Sequence, residues 1–324
     1  MITKPQTIYQ DMRDAFFEEL FQIAKADKDV IVLYADQGAF TFQKFYSDIP
    51  KQIINVGIAE QNMISVAAGL ALAGKKVFAH TISTFLTLRC YEQIKVDLSI
   101  MNLPVTIAGI GAGFTYGSDG PTHHSNQDIG VMRAIPGMRI LNASDCVNTS
   151  VFPHIAYQTP KLTYIRFEKG NFPPLYKKNH NFEDGMGEII KGKDMVIIST
   201  GVMVHQAVKI ANELKSKVGV IDIYQLKPLN EKKLYKLLAS YKAKGFATSG
   251  YKKIVVLEEH LSYGGLASIV ADFLADYSLI KKFLRIGLPD ENFFVYGDRD
   301  YMHKQIGISS SRIIRKIDKF LKDK

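Results

Sequence analysis

The sequence predicts an α/β protein built from two doubly wound, mainly parallel-sheet domains. Its 324 residues exceed one ordinary core and suit two domains of roughly 150 residues each. Short apolar runs of strand length alternate with longer helical segments, a pattern typical of parallel sheets covered by helices on both faces. A polar segment containing Pro-Pro interrupts the alternation, which then starts again. Residues 1–175 are therefore predicted to form the first domain, 176–188 the linker and 189–324 a smaller second domain.

The first domain begins with a predicted helix over residues 11–27, in which Phe16, Leu20 and Ile23 fall on one face. Further helices are predicted from residue 58, over 84–100 and from residue 145. Continuous apolar runs predict strands at 30–35, 53–56, 77–80, 105–110, 138–142 and 162–167.

The second domain repeats this alternation of strands and helices. Strands are predicted from residues 195, 218 and 254 and over 284–288, with helices from residues 204, 230 and 264. Ser309 and the two serines after it are expected to cap a final helix, whose apolar positions include Ile313 and Ile317 at helical spacing.

Charge and cysteine content argue against several classes of function. The formal net charge is +9, but the lysines occur as scattered pairs without interleaved aromatic residues, so no nucleic-acid surface is predicted. No apolar run approaches the roughly 20 residues that cross a bilayer, and the first residues contain no apolar signal-peptide core. Cys90 and Cys146 lack metal-ligand spacing and indicate a reduced, cytoplasmic environment.

Residues 56–73, VGIAEQNMISVAAGLALA, are the stretch around which the first domain is organised. An apolar strand end turns through Gly57 into a helix rich in Ala and Gly, which is expected to pack closely against other backbone. Glu60 lies in the first turn, where the partial positive charge of the helix N-terminus favours a carboxylate. Two interpretations remain open from these residues alone: a buried structural helix with a capping acid, or a functional carboxylate in an apolar site.

Open α/β sheets bind ligands at the carboxyl ends of their strands, and three segments fall there. They are the turn carrying Glu60, the segment HTISTFLTLRCYEQ that begins at His80, and the loop GIGAGFTYGSDGPTHHSNQD. That loop contains five glycines as well as Asp119 and His123. Dinucleotide, Walker, H-E-x-x-H, CxxC and GxSxG motifs are absent, so neither metal-dependent hydrolysis nor a serine hydrolase is supported.

Four blocks along the chain carry a more specific signal than any one segment. In order they read VGIAEQNMISVAAGLA, STFLTLRCYEQ, DGPTHHSNQDIGVMRAIPGM and LEEHLSYGGLASIVADFL. Together they resemble the transketolase family of thiamine-diphosphate enzymes, most closely the carboxyl-terminal subunit of split, two-chain transketolases. The resemblance extends over nearly the whole chain. It implies a pyrimidine-binding domain followed by a transketolase C-terminal domain, and transfer of a two-carbon ketol unit between sugar substrates.

The resemblance also implies roles for individual residues. Glu60 matches the acid that hydrogen-bonds N1′ of the cofactor's aminopyrimidine ring. Phe85 matches the aromatic residue that stacks on this ring and Tyr91 a second aromatic residue lining it, although the spacing of both also suits ordinary core packing. Asp119 and His123 match a pair that faces the sugar hydroxyls next to the reacting carbon, where a histidine suits proton transfer near neutral pH.

Substrate recognition is where the chain departs from the family pattern. Asp36 matches an acid at the edge of the same crevice and is expected to bind the cofactor. Arg13 and Arg166 match two arginines that hold a sugar phosphate. The family usually has a histidine at the position of Gly111 and a small polar residue at that of Phe40. These differences predict a transketolase with specialised sugar substrates.

The sequence lacks the family's motif for binding Mg²⁺ and the cofactor diphosphate. Its one Gly-Asp pair, Gly297-Asp298, lies in a different context near the C-terminus. The resemblance therefore implies thiamine diphosphate and Mg²⁺ as cofactors, no metal ligand on this chain, and a partner chain that carries the diphosphate-binding domain. An α2β2 heterotetramer is expected, with the active site between the chains. The second domain, with Glu258, Glu259 and His260, is expected to support dimerisation.

Three alternatives remain open. The β subunit of a 2-oxo-acid dehydrogenase E1 component shares the architecture and a pyrimidine-contacting acid, but the DGPTHH and GGLASIVADFL blocks favour a transketolase. Deoxyxylulose-phosphate synthase is a single, much longer chain. A non-catalytic assembly subunit has no physical need for an acid in an apolar helix, so the joint presence of Glu60, Asp119 and His123 argues against it.

Overall fold

A computed structural model describes residues 10–214, 218–239, 241–243, 246–248 and 250–322. The strands are β1 (Val30–Tyr34), β2 (Ile53–Asn55), β3 (Lys76–Ile82), β4 (Thr106–Ile110), β5 (Arg139–Asn142), β6 (Thr163–Phe167), β7 (Met186–Ile190), β8 (Met195–Ser199), β9 (Val218–Ile223), β10 (Gln225–Lys227), β11 (Tyr241–Ala243), β12 (Phe246–Thr248), β13 (Lys253–Leu261) and β14 (Lys282–Leu288).

The helices are α1 (Met12–Ala26), α2 (Phe42–Asp48), α3 (Glu60–Leu72), α4 (a helical segment made of Phe85–Arg89, Tyr91–Gln93 and Ile94–Ile100), α5 (Asp128–Arg133), α6 (Cys146–Gln158), α7 (Met203–Glu213), α8 (Glu231–Leu238), α9 (Leu266–Asp276), α10 (Arg299–Ile306) and α11 (Ser310–Lys322).

Two sheets flanked by helices confirm the predicted fold class. The first sheet has the order β10-β5-β6-β4-β3-β1-β2 and is parallel except for β10. The second has the order β14-β13-β8-β9-β7 and is parallel except for β7. The short strands β11 and β12 pair antiparallel with each other.

Local sequence explains where several helices begin. The Asp11 carboxylate accepts the backbone N–H groups of Arg13 and Asp14 at the start of α1. Asp145 and Asn148 form a reciprocal capping box at the start of α6. In α11 the buried residues are Ile313 and Ile317, which the helical spacing in the sequence predicts.

Several elements differ from the sequence-based expectation, and three of them bear on how the domains meet or where the linker ends. Strand β10 follows the second domain's β9 but pairs antiparallel with β5 of the first sheet. Strand β7 begins at Met186, inside the segment expected to be a linker. Helix α10 forms where no helix was expected, because Met302 and His303 are its buried residues and leave almost no apolar pattern to read. Each element is too short or too polar to show hydrophobic periodicity.

A buried charge network joins the two domains beside the glycine-rich loop. Arg299 of α10 lies 2.8 Å (Nη2) from a Glu168 carboxylate oxygen and 3.0 Å (Nε) from one of Glu259. Glu259 also accepts a hydrogen bond from His303 and one, at 2.9 Å, from the backbone N–H of Phe114 in the loop. The junction therefore fixes the loop against the second domain.

Glu258 and His260, the neighbours of Glu259 in sequence, also contact other parts of this chain. The Glu258 carboxylate accepts the backbone N–H groups of Leu266 and Ala267, at 2.6 and 2.8 Å, and so caps α9. The His260 ring faces the backbone N–H of Gly130 in the first domain, at 3.3 Å. All three residues are buried, so the dimerisation expected of the second domain cannot run through these side chains.

Candidate active site

The segments predicted to bind ligands come together at one edge of the first sheet. Glu60 follows β2, Phe85 follows β3 and Gly111 follows β4, while Asp36 follows β1 with a left-handed φ of 59°. Because these strands are parallel neighbours, their carboxyl ends open on the same edge.

Glu60 is the buried acid of this edge. Its side chain is 3% exposed in the first turn of α3, and its carboxylate accepts a hydrogen bond from Nη1 of Arg89 at 2.7 Å. The N-cap residue of α3 is Ala59, which provides no side-chain cap. The hydrogen-bond partner of this carboxylate is therefore another side chain, while both interpretations of Glu60 agree with the burial that the structure shows.

An aromatic and a cationic group adjoin Glu60. The guanidinium carbon of Arg89 lies 4.5 Å from the ring centroid of Phe85, and the ring of His123 lies edge-on to Phe85 at 5.1 Å. Tyr91 is half-buried and packs against the apolar core, in keeping with the packing alternative. Sequence reasoning missed Arg89, although its position four residues after Phe85 on a helix was a usable signal.

The glycine-rich loop carries Asp119 and His123 on its outer part. Asp119 is exposed at the end of a single 3₁₀ turn, and the His123 Nδ1 lies 3.0 Å from the Thr122 hydroxyl. The ring of Tyr116 lies 6.2 Å from that of His123, and burial raises the pKa of Tyr116 to about 12. Tyr116 was not among the predicted site residues.

Tyr116 also explains the unusual glycine of the loop. Gly111 has a φ of +90°, and a Cβ there would lie 2.2 Å from the Tyr116 ring. The space next to Gly111, where the family usually has a histidine side chain, is thus filled by Tyr116.

Arg13 and Asp36 line a separate cavity of about 440 Å³, together with Phe40. The guanidinium carbon of Arg13 lies 5.6 Å from the ring centroid of Phe40, and Nη1 donates a hydrogen bond to the Gly38 carbonyl at 3.4 Å. Of the residues predicted to bind the substrate, Arg13 lines this pocket, beside the predicted cofactor-binding residue Asp36.

Arg166 lies in the interior and not in that pocket. Its guanidinium donates to the Asp128 carboxylate at 2.6 Å, to the Asn142 side chain at 3.3 Å and to the Ser125 carbonyl at 3.1 Å. Each of its three nitrogens makes one hydrogen bond within the chain, so the structure places Arg166 in the interior and away from the pocket that Arg13 lines.

His80 is likewise an interior residue. Its ring packs among Phe17, Phe42 and Phe167, and Nδ1 lies 2.8 Å from the Ala108 carbonyl. Burial lowers the pKa of His80 to about 4, so the ring is neutral at physiological pH.

The described ranges show neither a metal-binding cluster nor a membrane span. They include no group of three or more His, Cys, Asp and Glu side chains that could hold a metal ion. Within the same ranges, every helix is too short or too polar to span a bilayer.

Comparisons with known proteins define the class. Residues 9–174 match the model of the transketolase pyrimidine-binding domain, and residues 185–313 match that of the transketolase C-terminal domain. The chain belongs to the transketolase family. It corresponds to the carboxyl-terminal subunit of a split transketolase, as the following relatives indicate.

The relatives match along nearly their full length. A subunit of the apulose-4-phosphate transketolase from Phocaeicola vulgatus is 32% identical over 317 residues, which cover 96% of this chain and 97% of that protein. A putative transketolase C-terminal section from Methanocaldococcus jannaschii is 34% identical, with 98% of both chains covered. A solved structure described as the inactive β4 tetramer of a split-gene transketolase is 27% identical, has a TM-score of 0.82, and matches over 96% of this chain and 98% of its own.

Proposed function

We propose that this chain supplies the pyrimidine side of the active site in a split, thiamine-diphosphate-dependent transketolase, with Glu60 and Phe85 holding the aminopyrimidine ring. When bound, thiamine diphosphate supplies a nucleophilic carbon and an electron sink for moving a ketol unit. The residues fit such a ring: a buried carboxylate lies beside an aromatic face, and one planar nitrogen-rich group, the Arg89 guanidinium, already contacts both. This arrangement is the observation that carries the proposal.

Each side chain has a distinct task in the proposed site. Glu60 holds a hydrogen bond to ring nitrogen N1′ and so fixes where the ring's protons reside. The apolar surroundings of Glu60 exclude water and strengthen that bond. His123, in edge contact with Phe85, and Asp119 on the same loop bind sugar hydroxyls, and His123 moves a proton to or from the substrate.

The Mg²⁺ ligands and the diphosphate site belong, in this proposal, to a partner chain. Relatives of matching length are named as subunits or sections of a transketolase, which supports a separate partner. An apolar side chain is also exposed near Glu60: Ile58, two residues before it, is 77% exposed. We propose that a partner covers this face in an α2β2 heterotetramer located in the cytoplasm.

The substrate is proposed to be a specialised sugar and not the common pentose phosphates. Gly111 and Tyr116 leave no histidine at the usual position, Phe40 replaces a small polar residue, and Arg166 donates to Asp128, Asn142 and Ser125 in the interior. Arg13 remains as the arginine in the cavity that also contains Asp36. The P. vulgatus relative, named for apulose 4-phosphate, is one example of a less common sugar in such an enzyme.

A substitution tests the role of Glu60. The chain would be co-expressed with its partner subunit and assayed with thiamine diphosphate, Mg²⁺ and a panel of ketose donors. Glu60→Gln should lower turnover by about 10²- to 10⁴-fold while the heteromer still forms. Glu92→Gln, an exposed acid on α4, is the matched control and should keep full turnover. If Glu60→Gln retains more than half of the activity, the proposal fails.

The same panel tests the substrate class. Best turnover on xylulose 5-phosphate and ribose 5-phosphate would contradict a specialised substrate. Consumption of a 2-oxo acid with release of CO₂ would instead assign the chain to the E1 β-subunit class.

A further inference from the structure

Arg89 contacts both Glu60 and Phe85, the two residues proposed to hold the aminopyrimidine ring. Its Nη1 donates to the Glu60 carboxylate at 2.7 Å, and its guanidinium carbon lies 4.5 Å from the Phe85 ring centroid. The Glu60 side chain is 3% exposed and that of Arg89 is 44% exposed. The guanidinium therefore closes the outer side of the pocket in which the carboxylate is buried.

The chemistry of these contacts matches that of the ring expected there. A guanidinium is planar, delocalised and rich in N–H donors, and it stacks on aromatic faces. An aminopyrimidine is also planar, pairs with a carboxylate through its ring nitrogen, and stacks on an aromatic ring. Both groups would use the Glu60 carboxylate and the Phe85 ring, so the guanidinium and the aminopyrimidine compete for the same two partners.

We propose that Arg89 is an internal placeholder: it holds Glu60 and Phe85 in the chain without cofactor, and its guanidinium leaves when thiamine diphosphate binds. This inference rests on the proposed function of Glu60 and Phe85. An acid buried without a partner is strongly unfavourable, so the ion pair with Arg89 stabilises the buried Glu60 carboxylate. Breaking that pair opposes cofactor binding, and cofactor affinity is reduced accordingly.

The position of Arg89 on α4 suits such a movement. Residues Phe85–Arg89 are wound as a π-helix, and π-helical turns are frequent at functional sites. Its neighbour Leu88 is 42% exposed, so the outer side of this turn is open in the described structure. The long, flexible arginine stem can carry the guanidinium outward without unfolding the turn.

The test measures cofactor binding directly. Heteromers carrying Arg89→Ala, Arg89→Lys or the matched control Lys95→Ala, an exposed cation on α4, would be titrated with thiamine diphosphate and Mg²⁺ by calorimetry. Arg89→Ala should bind at least about tenfold more tightly, because no ion pair has to break. Arg89→Lys should bind thiamine diphosphate with an affinity between those of the wild type and Arg89→Ala, since lysine keeps the charge but cannot stack on the Phe85 ring as a planar group. Lys95→Ala should bind thiamine diphosphate with the same affinity as the wild type.

Two further measurements make the outcome decisive. Without cofactor, Arg89→Ala should unfold at a lower temperature than the wild type, and saturating thiamine diphosphate should remove that difference. Adding methylguanidinium to Arg89→Ala should refill the pocket and weaken cofactor binding again. Unchanged or weaker cofactor binding by Arg89→Ala would overturn the proposal that Arg89 competes with the cofactor.

Glu60→Ala separates this inference from the proposed function. If Glu60→Ala weakens cofactor binding but Arg89→Ala does not strengthen it, only the placeholder fails. If Glu60→Ala leaves binding unchanged, Glu60 does not hold the cofactor and the proposed function fails with it.

Discussion

Replacing Arg299 with methionine should destabilise the chain strongly, because Arg299 is the cation shared by two buried carboxylates. The side chains of Glu168 and Glu259 are 3% and 4% exposed, and that of Arg299 is 20% exposed. Methionine keeps most of the volume and removes the charge. Both acids then lose the cation that they share across the domain junction.

The magnitude follows from the burial of the pair. Removing one partner of a buried ion pair costs about 3–5 kcal/mol, whereas an exposed pair contributes about 0–1 kcal/mol. His303 and the backbone N–H of Phe114 remain bonded to Glu259, so the expected loss for Arg299→Met is about 3–4 kcal/mol, within the range for a single buried pair. Arg315→Met, an exposed arginine on α11, is the control and should change stability by less than about 0.5 kcal/mol.

The loss should also depend on pH. Burial alone would raise the pKa of Glu259, but Arg299 and the hydrogen bonds from His303 and Phe114 lower it to about 2. A lowered folded-state pKa gives stability that is present above about pH 4.5 and is lost as pH falls toward 2. Urea unfolding at fixed protein concentration should therefore show the full loss for Arg299→Met relative to the wild type at pH 7.5 and a smaller one near pH 4, with no such loss for Arg315→Met. A loss below about 1 kcal/mol at pH 7.5, or one independent of pH, would refute this reasoning.

Two further substitutions probe the same junction. Burial raises the pKa of Asp222 to about 7, so the contribution of Asp222 to stability should fall as pH rises from about 4 through 7. The Asp222→Asn variant should lack this fall. Equal urea midpoints for the wild type and the variant across pH 5–8 would contradict the prediction. Gly113 has a φ of +56°, and a Cβ there would lie 1.7 Å from a Glu259 carboxylate oxygen; Gly113→Ala should therefore cost about 2 kcal/mol or more in thermal unfolding. Its control, Gly69→Ala within α3, has open space around the new methyl group and should be neutral or stabilising, so equal effects would count against the close-approach argument.

The main elements of the fold could be predicted because they are long and strongly patterned. Buried parallel strands such as β1, β4 and β8 are continuous apolar runs, and α1 and α11 show a clear apolar face. Strand β10 could not be predicted, because three residues show no period and its pairing with β5 depends on how the two domains meet. Domain contact is a long-range property that local sequence does not carry.

The candidate site also contains some features that the sequence predicts and others that it does not. Glu60 could be singled out because an acid in an apolar helix contradicts its surroundings, and the structure buries it as that conflict implies. The partners of the charged residues could not be predicted. The sequence places Arg89 four residues after Phe85 on a helix, but it does not show that Arg89 pairs with Glu60 or that Arg166 pairs with Asp128 in the interior. An arginine's role depends on which acid the fold places within reach, and that is fixed only after the sheet has formed.

The junction gives the second domain a role at the site itself. The loop carrying Asp119 and His123 contains many glycines, and a chain of that composition loses much conformational entropy when it is ordered. The loop is held from the second domain by Glu259, which accepts the Phe114 N–H, and by Arg299, which donates to the Ala112 carbonyl at 3.1 Å. These charged contacts offset the cost of ordering the loop. The glycines are required in turn, because at Gly113 only a residue without a side chain lets Glu259 reach the backbone. The second domain thus holds in place the loop on which substrate contacts are proposed, without contributing a proposed substrate-binding residue of its own.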